Sequence, residues 1–426
     1  METSKNTLSN VCAMPAPTWH KLKMNHASLD LPANLEYKQN VTIEAKSCEI
    51  GSASAFDKAV AKLQAQIDAE HAQNEEDDRS VIAALDPGTA PDNLDVPALS
   101  KWEEASAKQQ VENNVAAAFA CGLGRQAQAW LENAAAKNKK VIQSNTEIEK
   151  SHGVGFATVQ VSGIAGAVST CALDVVAKAH TTLNVLVVLD APQAGSGMLG
   201  TLLRVFAGEG STVNITAVHA LENTWTVLDG TGIVAASGAR VNINHKMLGG
   251  SKTYTALEAD LRGAESEINI DTRYIAAGSE LRDFNYIVHH RGKNTKSNIN
   301  ANGALMGTSS KTYRGTIDLV HGCKGAQGTE NETVLLIDEG THNKSIPVIL
   351  CDEDEVSGNH GATIGHIAPE QLFYLQCRGL SKQAAEGLFA TAVLEDAYIN
   401  VNNEAARTGI LKIAQQNSIP IQKVDE

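Results

Sequence analysis

The residues best suited to chemistry lie between positions 347 and 379. His360 sits in Gly358-Asn359-His360-Gly361, after the acidic run Asp352-Glu353-Asp354-Glu355 and before Ala362-Thr363-Ile364-Gly365. A neutral imidazole binds iron or zinc, but such a ligand works best with further donors converging on the same ion. One histidine without companions at metal-site spacing reads, on its own, as a surface or hydrogen-bonded side chain. The flanking glycines point to a turn shaped to present one group, because glycine adopts backbone angles closed to other residues. Cys351 and Cys377 are near in sequence, yet Cys351 ends an apolar run, where a buried and inert thiol is expected. His289 and His290 are a second pair of interest. Neighbours along a strand face opposite sides, so at most one of them can enter a shared site.

Other motifs exclude more than they assign. Gly195-Ser196-Gly197-Met198-Leu199-Gly200 matches G-x-G-x-x-G after the apolar run Leu183–Leu189. A dinucleotide site needs those glycines at the strand end and a crossover helix behind them. Here Asp190–Ala194 intervenes, and only Thr201–Ala207 precedes Gly208-Glu209-Gly210, which is too short for that helix. No G-x-x-x-x-G-K-[ST], H-E-x-x-H or G-x-S-x-G pattern occurs, so the chain is expected to have no ATPase site of its own. No pair of carboxylates stands out by spacing as a glycosidase dyad.

These residues need a frame. Pro347–Cys351 reads as a buried strand, and Pro369 opens a helix that Gly379 is placed to end in the left-handed position. Residues 151–366 are expected to be many short strands with few helices between them. Examples are Val213–Val218, Val241–Ile243, Ile268–Ile270 and Thr316–Val320. Such a pattern fits a sandwich, a barrel or a coiled solenoid, and its spacing is too irregular to choose by period. Residues 1–150 are expected to be mainly helical, with stretches at about 55–85 and 97–136, and with Trp19, Leu22 and Met24 as anchors near the start. Residues 367–426 form a C-terminal helical region. Its stripe of Ala385, Leu388, Phe389, Ala392, Val393 and Ala397 suits core packing or a partner surface, and Ser381 is placed as a cap.

The chain has 426 residues and a formal charge of −14, against the clustered Lys and Arg of a nucleic-acid or anionic-membrane binder. Seven scattered cysteines without a C-x-x-C pair fit a reducing compartment better than a disulfide framework. No apolar stretch has signal-peptide or membrane-span length, so a soluble, cytoplasmic protein is expected.

The run Gly358–Gly365, with Gln371-Leu372-Phe373-Tyr374-Leu375 and Arg378-Gly379, resembles the C-terminal signature of the SufB/SufD family of iron–sulfur cluster assembly proteins. His290, Ser297, Tyr313-Arg314-Gly315, Leu335-Leu336-Ile337 and Ile346-Pro347 extend that resemblance upstream. It implies a mainly β fold, a right-handed parallel β-helix flanked by N-terminal and C-terminal helical regions. It also implies a non-enzymatic scaffold subunit that pairs with a SufB-type chain, or a second copy of itself, through β-helix edges. A SufC-type ATPase would dock on the C-terminal helices. His360 matches the histidine implicated in building the cluster, which would be transient and shared with the partner, or absent from the isolated chain. Many SufD-type chains carry cysteine where Gly358 stands, and SufB-type chains carry glutamate where Gly361 stands, so the site is nearer to SufD. A structural scaffold without a metal ligand, and a polysaccharide-acting β-helix enzyme, are the competing readings.

Overall fold

The computed structural model describes residues 7–18, 23–32, 36–51, 56–62, 64–65 and 119–421. Its centre is a parallel β-helix in which successive strands alternate between two nine-stranded sheets. The front sheet runs from Val41–Lys46 through Val154–Ser162 and Thr182–Asp190 to Ser357–Gly365. The back sheet runs from Glu49–Gly51 through Lys139–Gln143 and Val168–Ala177 to His342–Cys351. From Val154 onward every ladder within the two sheets is parallel, apart from the Val41–Lys46 pairing.

Strand alternation explains the core. In the front sheet Ile215, Ile243, Ile270 and Ile299 stand in register on successive rungs, all fully buried between the sheets. Each such side chain contributes roughly 1.5–3 kcal/mol by leaving water. Outward neighbours alternate with them, and on the front sheet these include a ladder of asparagines. Asn214 Nδ2 donates to Asn184 Oδ1, Asn242 Nδ2 to Asn214 Oδ1 and Asn269 Nδ2 to Asn242 Oδ1, at 2.8–3.1 Å.

The turns leading from back-sheet to front-sheet strands are equally regular. His180, Gly210, Gly238, Glu265, Asn294 and Gly325 each adopt positive φ, between 56° and 79°. Each donates its backbone N–H to a carbonyl of the next turn, at 2.7–2.9 Å. For a side-chain-bearing residue that conformation costs about 1–2 kcal/mol, which the stacked backbone bonds help to offset.

The chain ends cover the outer faces. Leu8, Val11, Leu29, Leu123 and Leu131 pack on Val168, Met198, Leu202 and Tyr254 of the back sheet. Val393, Leu394 and Ala397 of helix Lys382–Asn400, with Ile410 and Ile413 of helix Glu404–Gln416, pack on Val188, Val218 and Ile275 of the front sheet. Ser381 caps the first of these helices through Ala384 N at 3.1 Å, and Gly379 has φ 94°. Ala385, Val393 and Ala397 of the C-terminal stripe are therefore core, Phe389 is half-buried, and Leu388 and Ala392 stay exposed. Among the described residues no helix is long and apolar enough to cross a membrane.

Residues 1–150 contribute more strand than the helical expectation allowed. Val41–Lys46, Glu49–Gly51 and Lys139–Gln143 all belong to the two sheets, and Thr7–Val11 pairs with Ala27–Asp30. Helix is found at 56–62, 64–65, Arg125–Ala135 and Thr146–Ser151, with a 3-10 turn at Ala136–Asn138, whereas most of the expected 55–85 and 97–136 stretches, and Trp19 and Leu22, lie outside the described residues.

Candidate functional site: the open end of the β-helix

His360 does not lie in a turn. It belongs to strand Ser357–Gly365, which pairs in parallel with Gln327–Leu336 and, among the described residues, has no strand on its other side. The turn falls one step earlier, at the acidic run 352–355. Gly358 and Gly361 are not among the residues with positive φ. Space is what Gly358 supplies: a Cβ there would sit 3.1 Å from Ile349 Cγ2 and 3.3 Å from Leu319 Cδ1.

Register places His360 at the end of an inward-facing column. The column reads Ile215, Ile243, Ile270, Ile299, Glu330 and then His360. On the last rung no described residue covers it, and His360 is exposed. The same absence of a further rung exposes Cys351, in register with buried His290 and Leu319. The expectation of a buried, inert Cys351 is therefore wrong; its position ends an interior column that has run out of cover. Cys377, at the end of helix Pro369–Cys377, is exposed as well. That helix buries no residue of its own, and Phe373, Tyr374 and Ile364 are exposed around it.

Below His360 the interior turns polar. Lys311 pairs with Glu332 and also donates to Ser345 Oγ at 3.1 Å. Burial pulls the Lys311 pKa down to about 8, against the pull of Glu332. Glu330 lies over Gly315, whose missing side chain leaves room for the carboxyl. Burial, and then the neighbouring Glu332, push Glu330 up to about 7, and its Oε2 is buried without a hydrogen-bond partner among the described residues.

Several residues singled out in the sequence prove to be structural. His290 points inward, Nδ1 to Thr295 Oγ1 and Nε2 to Ser297 Oγ, both at 2.8 Å. Burial drives its pKa down to about 4, so it is neutral. His289 faces out, as alternation requires, between Asp318 Oδ2 at 2.7 Å and Glu258 Oε1 at 3.0 Å. Burial opposes its charge, but the two carboxylates prevail and raise its pKa to about 10. Arg314 pairs with Asp283 at 2.6 Å and donates Nε to Met24 O at 2.5 Å, pinning the N-terminal segment to the back sheet. In the G-x-G-x-x-G run, Gly197 lies under the Trp225 ring and Gly200 under Leu131. Both glycines sit inside strand Gly197–Ala207, with close packing as the reason for their size.

Among the described residues no group of three or more His, Cys, Asp and Glu side chains is placed to hold a metal. Such a site takes several donors. The end therefore offers His360 as an exposed imidazole on a strand paired on one side, with His366 just past the strand, His342 on the last back-sheet strand and a helix without buried residues also exposed there.

A two-sheet parallel β-helix with the chain termini packed on its outer faces, and a last rung paired on one side only, defines the structural class. The sequence matches the family described as the SUF system FeS cluster assembly, SufBD core domain, over residues 160–393, more than half of the chain, and the protein belongs to that family. Iron-sulfur cluster assembly protein SufD of Bacillus subtilis is 23% identical over 213 residues, covering 50% of this chain and 49% of that protein. A chloroplastic SufBD family protein of Arabidopsis thaliana is 24% identical over 173 residues, covering 41% and 31%. A SufBD family protein of Mycobacterium tuberculosis is 30% identical over 106 residues, covering 25% and 12%. The match thus spans about half the length of the first relative and less of the others.

Proposed function

We propose that this chain is a SufD-like subunit of a cytoplasmic iron–sulfur cluster assembly scaffold. Its open end pairs with a SufB-type chain, and His360 is its one donor to a cluster carried as cargo between them. The observation that carries this reading is His360 itself, an inward column position left exposed by the last rung. An incomplete ligand set on this side fits a shared site, with the partner supplying the remaining donors. A SufC-type ATPase would dock on the side of the C-terminal helices turned away from the sheet, where Leu388 and Ile399 are exposed.

The test is copurification with candidate SufB-type and SufC-type chains, followed by anaerobic measurement of iron and acid-labile sulfide. A ternary complex that accumulates cluster supports the reading, and self-association without affinity for a SufB-type chain replaces it with a homodimer. A second reading, a scaffold without any ligand of its own, is favoured by Gly358, which brings no thiol to the position two residues before His360. The two separate on His360→Ala, which lowers cluster content only in the first.

A further inference from the structure

Away from the open end, the front sheet and helix Lys382–Asn400 leave a cleft of about 400 Å³ between them. Asn244 and Lys246 on strand Arg240–Met247 line it, beside Asp271 and Arg273 on strand Glu267–Ala276. The register sets Asn244 against Asp271 and Lys246 against Arg273. Two cations directly opposite on adjacent strands repel, so the pairing is stable only where anions face it.

The partners present do not exhaust these groups. Lys246 is 3% exposed, and among the described residues its ammonium pairs with Asp396 alone, on the helix side of the cleft. An ammonium has three donors. Arg273 uses Nε on Asp271 Oδ2 at 3.0 Å, leaving its terminal amino groups to the cleft. Asn244 Oδ1 is buried and, among the described residues, has no hydrogen-bond partner. Unspent donors therefore sit one step along the strand from an unspent acceptor. Two residues on one strand face are about 6.6 Å apart. The charges lining the cleft already balance, Lys246 and Arg273 against Asp271 and Asp396, so a simple anion would leave an excess negative charge there.

We propose that this cleft binds a small zwitterion, a molecule carrying one carboxylate and one ammonium group, of the size of a free amino acid. The carboxylate bridges Lys246 and Arg273. The ammonium donates to Asn244 Oδ1 and lies against Asp271, and an apolar side chain rests on Phe389. The site is independent of His360 and of the cluster reading.

Calorimetric titration of the full chain with leucine, acetate and ethylamine tests it. Leucine binds saturably, and acetate and ethylamine each bind at least about tenfold more weakly, having one charged group each. Lys246→Met weakens leucine binding by roughly tenfold to a hundredfold. Arg273→Gln, at a half-exposed position that leaves the fold intact, weakens it in the same direction. His360→Ala binds leucine as the wild type does, so loss of cluster assembly and loss of this site are told apart. Acetate binding as tightly as leucine, leucine binding unchanged in both cleft variants, or no leucine binding at all would each overturn the proposal.

Discussion

The two outer edges of the front sheet face the same problem with opposite answers. Val41–Lys46 closes one end in antiparallel pairing and carries Glu44 and Lys46. Ser357–Gly365 closes the other in parallel pairing, and its sequence SGNHGATIG contains no Asp, Glu, Lys, Arg or Pro. Exposed strand edges are templates for pairing with another chain, and charge is a common guard against it. One edge of this β-helix is guarded and the other is not. The unguarded edge is also the one that presents His360, which ties the proposed partner surface to the proposed donor.

The largest effect should follow from guarding the open edge. Thr363→Lys, at an exposed position of the last strand, is expected to abolish association with a SufB-type chain in sedimentation or copurification. Its stability should stay within about 0.5 kcal/mol of wild type, as for most surface substitutions. Retained association would move the partner surface elsewhere.

Substitutions along one column sharpen the contrast between the filled middle and the open end. Ile243→Ala, deep in the stack, is expected to cost about 2–5 kcal/mol in denaturant unfolding. His360→Ala, four rungs along from Ile243 at the exposed end, should cost less than about 0.5 kcal/mol. Similar losses at both positions would mean that the last rung is packed like the middle.

A pH-dependent effect is expected at His289 on the back sheet. Its pKa is raised to about 10 by Asp318 and Glu258 in spite of burial. The unfolded value is about 6.5, so its stabilising contribution is complete below about pH 6.5 and is lost as pH rises to about 10. His289→Gln should flatten that part of the pH–stability curve relative to wild type. Equal slopes for the two proteins would show that the imidazolium adds nothing.

Much of this was legible in the sequence, and the failures share a cause. The strand-to-helix switch near Pro369, the cap at Ser381 and the opposed faces of His289 and His290 follow from local rules, and the structure has them. The solenoid period was hidden because the rungs differ in length: the asparagine ladder steps by 30, 28 and then 27 residues. The positive-φ column is marked by Gly at only some rungs, with His180, Glu265 and Asn294 at others, so glycine spacing does not reveal it. In the sequence Gly358 and Gly361 look like turn residues because glycine has two uses, and packing space is the relevant one at Gly358. Cys351 looked buried because its apolar neighbours are those of an interior strand. Only the rung count shows that the interior ends there.

The most direct test of the account is cluster loading of His360→Ala in complex with SufB-type and SufC-type chains. The account predicts an intact complex and an unchanged unfolding midpoint. It also predicts a clear loss of iron and acid-labile sulfide after anaerobic assembly. Wild-type loading of the variant complex would contradict it and leave His360 as no more than the last side chain of an interior column.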